Sequence, residues 1–215
     1  MNGTDHRVID WGGATSALVK VRQGVGELRL APGATALLEA DFVYAREEWK
    51  PSLEYWVSEG RGRLELKQPR SSGWEFPGIF STGIRYEWDL RLSGAQPIEL
   101  DLELGAGKGN LKLGGLQLVD AEVELGVGEL TLDLTGDWQR NMQLKVDAGV
   151  GRTTLILPPQ VGVRVEVSKG LCAVNASGLY VDGHRYQNEA FGRAPITLYV
   201  RLHKGVGEIN LNVVK

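Results

Sequence analysis

The 215-residue sequence is poor in cysteine (one), proline (eight) and histidine (three). A lone Cys172 excludes an internal disulfide framework and a zinc site built on cysteines. Lys and Arg total 24 against 27 Asp and Glu. That balance provides no basic field to hold nucleic acid. No apolar run approaches the ~18 residues of a membrane-spanning helix. The first ten residues, MNGTDHRVID, are polar and do not read as a signal peptide. What the sequence has in surplus is glycine, 29 residues of 215, against a usual share of about 7%.

The glycines punctuate a recurring unit: an alternating strand, a glycine pair, a second alternating strand. Copies read VKVRQGVGELRL (19–30), YWVSEGRGRLEL (55–66), LELGAGKGNLKL (102–113), VELGVGELTLDL (123–134), VDAGVGRTTLIL (146–157) and LHKGVGEINLNV (202–213), with a degenerate copy at 165–174. Apolar residues hold one parity before each pair and the other after it. Leu102 and Leu104 give way to Leu111 and Leu113, and Val123 and Leu125 to Leu130 and Leu132. In a flat strand that change would turn the apolar face into water. A consistent change predicts a bend at the glycines, after which side chains again face one core. Gly26, Gly62, Gly109, Gly128, Gly151 and Gly207 are the expected structural corners of a β-solenoid coil.

No segment has a convincing helical period. Residues 36–49 alternate through Leu38, Ala40, Phe42 and Tyr44, which predicts a strand. The chain is therefore expected to be all-β, with at most one short helical turn. Five of six tryptophans lie before residue 90. The unpatterned stretch 67–85 sets an expected boundary between an aromatic-rich N-terminal part (1–85) and a regular repeat region (86–215), sharing one continuous core. Trp74, Phe76, Phe80, Tyr86 and Trp88 cluster around it and predict either a cap on a coil end or a partner-binding loop.

The segments WGGATSALVKVRQGVGELRLAPGATALLEADFVYAREEWKPSLEYWVSEGRGRLELKQP and YEWDLRLSGAQPIELDLELGAGKGNLKLGGLQL, with APITLYVRLHKGVGEINL at the close, resemble the bacterial toast-rack family. The resemblance runs over nearly the whole chain. It implies a right-handed, β-helix-like stack outside the cytoplasm, similar in outline to adhesin-like domains and to sensor domains of envelope-stress regulators. It implies no catalytic residues.

The residues themselves point the same way. Gly105-Ala106-Gly107-Lys108-Gly109 looks like a phosphate loop, but Asn110-Leu111-Lys112-Leu113 continues as a strand where a helix is required. The residues following the corner glycines are Glu27, Arg63, Asn110, Glu129, Arg152, Leu171 and Glu208, a mixed column unsuited to a calcium ladder. Acidic residues such as Glu99, Asp101, Glu103, Glu122 and Glu124 alternate with Leu and Val, as on the wet face of strands. Cys172 falls at the parity taken by leucine in other copies, a small core residue. No catalytic, cofactor or metal residues are expected. The sequence predicts a non-enzymatic structural or binding module of the cell envelope, with a protein or glycan partner. A polysaccharide-active β-helix enzyme and an extracytoplasmic sensor domain are the alternatives.

Overall fold

The computed structural model describes residues 3–69 and 86–214. Trp74, Phe76 and Phe80 lie outside the described residues. Among those described the chain is all-β apart from a three-residue 3-10 turn, Glu47–Trp49. The strands are β1 (Gly3–Ile9), β2 (Ser16–Pro32), β3 (Leu38–Tyr44), β4 (Ser52–Ser58), β5 (Arg61–Lys67), β6 (Glu87–Leu92), β7 (Ile98–Lys112), β8 (Leu118–Asp133), β9 (Met142–Leu157), β10 (Gly162–Ser177), β11 (Tyr180–Asp182), β12 (Arg185–Gln187) and β13 (Thr197–Val213). They form one mixed sheet in the order β1-β3-β6-β2-β7-β8-β9-β13-β10-β12-β11, with β5 and then β4 attached to β2.

Six long strands, β2, β7, β8, β9, β13 and β10, lie parallel and in register. Each places apolar residues inward at alternate positions, then changes parity at its glycines. In β7 the buried apolar residues are Ile98, Leu100, Leu102 and Leu104 before them and Leu111 after. The buried side chains form one cluster running from Ala17 to Leu211.

The glycines stack on one another. Gly26, Gly107, Gly128, Gly151 and Gly207 are register partners along the ladder. All five have φ between 125° and 141°, where a side chain is strained. A Cβ on Gly128 would lie 1.9 Å from the carbonyl oxygen of Gly107, and one on Gly151 the same distance from that of Gly128. Backbone thus packs on backbone with no room for a methyl group. The glycine of this column in β7 is Gly107; Gly109 lies two residues on, in register with the buried Leu130. Gly62 lies in β5 opposite Ala17, and its missing Cβ makes room for the Tyr55 ring.

The aromatic residues gather at the β2 end. β5 covers the first half of β2 and β6 the second. Trp88 and Phe42 are fully buried and meet edge to face at 5.5 Å, each contributing about 3 kcal/mol by burial. Tyr86 is buried and donates to the Trp49 carbonyl at 2.5 Å; burial pushes its phenol pKa up. At the far end β10 is anchored by buried Asn188. Its amide donates to the carbonyls of Pro158 and Val161 and accepts from Val163 N–H.

Candidate functional site

Strand alternation sends every second residue outward, so the ladder lays side chains in columns across the outer face. On the first halves of the strands one column reads Lys20, Asp101, Glu122, Lys145, Arg201, Glu166, and the next Arg22, Glu103, Glu124, Asp147, His203, Ser168. Beyond the glycines a third reads Glu27, Lys108, Glu129, Arg152, Glu208, Ala173. This is the column the sequence placed at Glu27, Arg63, Asn110, Glu129, Arg152, Leu171 and Glu208. Lys108 replaces Asn110 because Gly107 is the ladder glycine of β7, Ala173 replaces Leu171 because Cys172 aligns with Gly207, and Arg63 drops out because β5 pairs Arg63 with Leu18 on the first half of β2. The column's charges alternate in sign and pair: Arg152 reaches Glu208 at 3.0 Å and Glu129 at 3.4 Å. Hydrogen bonding to Glu208 raises the Arg152 pKa.

The acidic residues converge at one place. The carboxylates of Glu122, Glu124 and Asp147 lie within 4.8 Å of one another. Lys145 is seated among them, 2.6 Å from Glu122 and 2.9 Å from Asp147. Hydrogen bonds to Asp147 and Glu122 raise its pKa. The cluster thus already holds a cation of its own. Nearby, Arg22 bonds Asp101 at 2.6 Å and holds that carboxyl below the ordinary carboxylate range. These groups neutralise one another across the ladder. No nucleophile–base pair and no buried acid–base pair stands among the described residues on this face.

Among the described residues the face has two shallow recesses, one of about 400 Å³ over the acidic residues Glu103, Glu124 and Asp147, the other over β9, β13 and β10. Gln143, Arg164, Glu166, Tyr199 and Arg201 line a shallow cleft of about 350 Å³ over β9, β13 and β10. Tyr199 is 44% exposed and is braced edge to face by Phe191 at 6.3 Å. Arg164 lies over the Phe191 ring at 5.7 Å and bonds Glu166 at 3.1 Å, so its head is fixed. Arg201 is exposed beside Tyr199, with no carboxylate partner among the described residues. An open aromatic ring next to an open guanidinium can stack on a flat ligand face and accept a negative group.

Between the two glycines of each pair a further column runs through Val25, Ala106, Val127, Val150 and Val206, and continues in β10 at Leu171, between Gly170 and Cys172. Val127, Val150, Val206 and Leu171 are 54%, 48%, 45% and 82% exposed. The G-V-G repetition in the sequence signals this ridge directly, although alternation around it draws attention to the charged residue that follows.

Of the residues expected to cap or bind around 74–88, Tyr86 and Trp88 are core residues of the β2 end. Cys172 is not at a leucine position. It is the register partner of Gly207, half buried, with its thiol 3.4 Å from the Gly205 carbonyl oxygen. The inward residue of that copy is Val174, opposite Ile209.

Residues 2–156 match the family described as the N-terminal domain of toast_rack (DUF2154). The chain belongs to the toast-rack family. A solved structure of a putative cell adhesion protein from Clostridium sporogenes is 31% identical, covers 100% of both chains and superposes with a TM-score of 0.93. A putative adhesin from Bacteroides fragilis is 10% identical over 99% of this chain and 97% of its own, with a TM-score of 0.34. No curated protein matches the sequence.

Proposed function

We propose that this chain is a non-enzymatic binding module of the bacterial cell envelope, presenting its ladder faces and loops to a protein or glycan partner. The observation that carries the reading is the end-to-end likeness to the Clostridium sporogenes protein. It is supported by an outer face on which many charges pair with one another, and by the Tyr199–Arg201 cleft, whose ring and guanidinium are exposed.

In this reading the long strands are coils of a right-handed β-solenoid turned at glycine corners. Residues Ile98 and Leu118 are register partners, as are Lys112 and Asp133. Straight, the 15 residues of β7 would span about 50 Å. The five residues 113–117 joining β7 to β8 reach at most about 18 Å. These lengths support a strand that doubles back within itself, and the parity change favours a turn at Gly105–Gly107.

The test is affinity electrophoresis of the purified protein through gels containing envelope polysaccharides, alongside an assay for released reducing ends. Retardation without new reducing ends, weakened by Tyr199→Ala, is the expected result. Release of reducing ends abolished by Glu122→Gln or Glu124→Gln would overturn the reading in favour of an enzyme.

A further inference from the structure

The parallel ladder ends at β10, and that end is finished on one half only. Over Arg164–Glu166 β10 is covered by β12, and β12 by β11. From Lys169 to Ser177 β10 has β13 on one side and, among the described residues, no strand on the other. Its outer row of backbone N–H and C=O groups is therefore open.

Protein edges are normally guarded by charge, proline or short length. β1 carries Asp5, His6 and Arg7, and β11 is three residues long. Residues 169–177, KGLCAVNAS, hold one charge and no proline. Leu171 is 82% exposed. Val174 and Ala176 stand opposite the fully buried Ile209 and Leu211, yet are themselves half buried and exposed. The inward positions continue the core column without a neighbour to close it.

This end also carries positive charge without a counter-charge. Lys204 is 3% exposed, and its Nζ has no hydrogen-bond partner; burial pulls its pKa down. Its register partner on β10 is Lys169, whose Nζ donates to the Cys172 carbonyl at 2.7 Å. Neither has a carboxylate within ion-pair distance among the described residues, although most other lysines near the ladder do. An unpaired ammonium this deeply buried is costly.

We propose that the open edge of β10, Lys169–Ser177, binds an extended segment of a partner protein as one additional strand, with an Asp or Glu of that segment against Lys169 and Lys204. Backbone pairing supplies the affinity and alternate small apolar side chains over Val174 and Ala176 the specificity, as in strand addition elsewhere. The carboxylate supplies the charge that this end lacks. The occupant is a lone strand because β12 and β11 project about two strand spacings, roughly 10 Å, past β10. They flank the open half and keep the broad edge of a second copy away from it. The proposal rests on the reading of the chain as a binding module. Its test contains no polysaccharide, so its failure and the failure of glycan binding at Tyr199 are separate results.

The experiment uses the whole chain and two capped nine-residue peptides of alternating Val and Thr, one with a Glu at its second position and one with Lys there. Fluorescence anisotropy measures affinity, and hydrogen–deuterium exchange locates the contact. The Glu peptide is expected to bind at least about tenfold more tightly than the Lys peptide. It should slow exchange in 169–177 and leave β1 and β11 unchanged. Lys169→Glu should reverse the preference and Lys169→Gln abolish it; a thermal melt checks that both variants remain folded. Equal affinities for the two peptides, or unchanged exchange in 169–177 at saturation, would overturn the proposal. So would protection of 169–177 that rises with protein concentration in the absence of peptide, which would identify a second copy as the occupant.

Discussion

The two ends of the stack solve the same problem with different material. At the β2 end both halves of the strand are covered, by β5 and β6, and the cover is filled with Trp88, Phe42, Tyr86 and Tyr55. At the β10 end a small hairpin covers one half, and the other half shows Cys172, Ala173, Val174 and Ala176. Aromatic side chains bring large buried area from few residues, so one irregular layer can close an end. Small residues cannot, and an end made of them remains open to pairing.

That contrast can be broken first in the middle of the ladder, where neither end should matter. Gly128→Val places atoms into the Gly107 carbonyl at a positive φ. It is expected to cost at least about 4 kcal/mol or abolish cooperative unfolding in a thermal melt. A variant that melts like the wild type would show that the ladder tolerates a wider spacing. Next comes the closed end. Trp88→Ala should cost about 4 kcal/mol in urea unfolding, whereas Val174→Ala at the open end should cost under about 1 kcal/mol. Similar losses at the two sites would dissolve the distinction between them. Gly33→Ala is the control for strain alone. Its φ is 129° but nothing lies within 4 Å of the added methyl, and about 1 kcal/mol is expected. Leu171→Ser, at 82% exposure, should stay within about 0.5 kcal/mol of wild type.

The smallest effect is electrostatic. Arg22 lowers the Asp101 pKa in the folded state. A depressed carboxylate pKa stabilises the fold above the unfolded value, near 3.9, and that contribution disappears as pH falls through the folded value. Arg22→Met should therefore be less stable than wild type at pH 7, with the gap closing toward pH 2. A gap that stays constant with pH would assign the loss to packing of the arginine stem.

The sequence makes the strands legible because alternation and its change of parity are local properties. Leu102, Leu104, Leu111 and Leu113 announce their burial without any partner. Register is not local: only pairing with Gly26 and Gly128 decides that Gly107, rather than Gly109, joins the glycine column. The place of Cys172 is non-local for the same reason, since its alignment with Gly207 depends on β13 lying beside β10. Lys204 shares the inward parity of Leu202, so its burial could have been read from spacing. A lysine at an inward position is easily taken for a strand end. The Tyr199–Arg201 cleft needs Gln143 and Arg164 from two other strands, which no local pattern brings together.

The place of β13 has a consequence for how the chain is made. β9 and β10 follow one another in sequence, yet the strand between them is β13, which comes after both and pairs over 15 positions with each. During synthesis the chain can stack β2, β7, β8 and β9 in order as they emerge, but β10 has no parallel neighbour until residues 197–213 are complete. Contacts of that kind form late because a long loop must close first. Residues 197–213 therefore close the stack: until they arrive, β9 and β10 each expose a long unpaired edge open to proteases, and their pairing withdraws both edges in a single step.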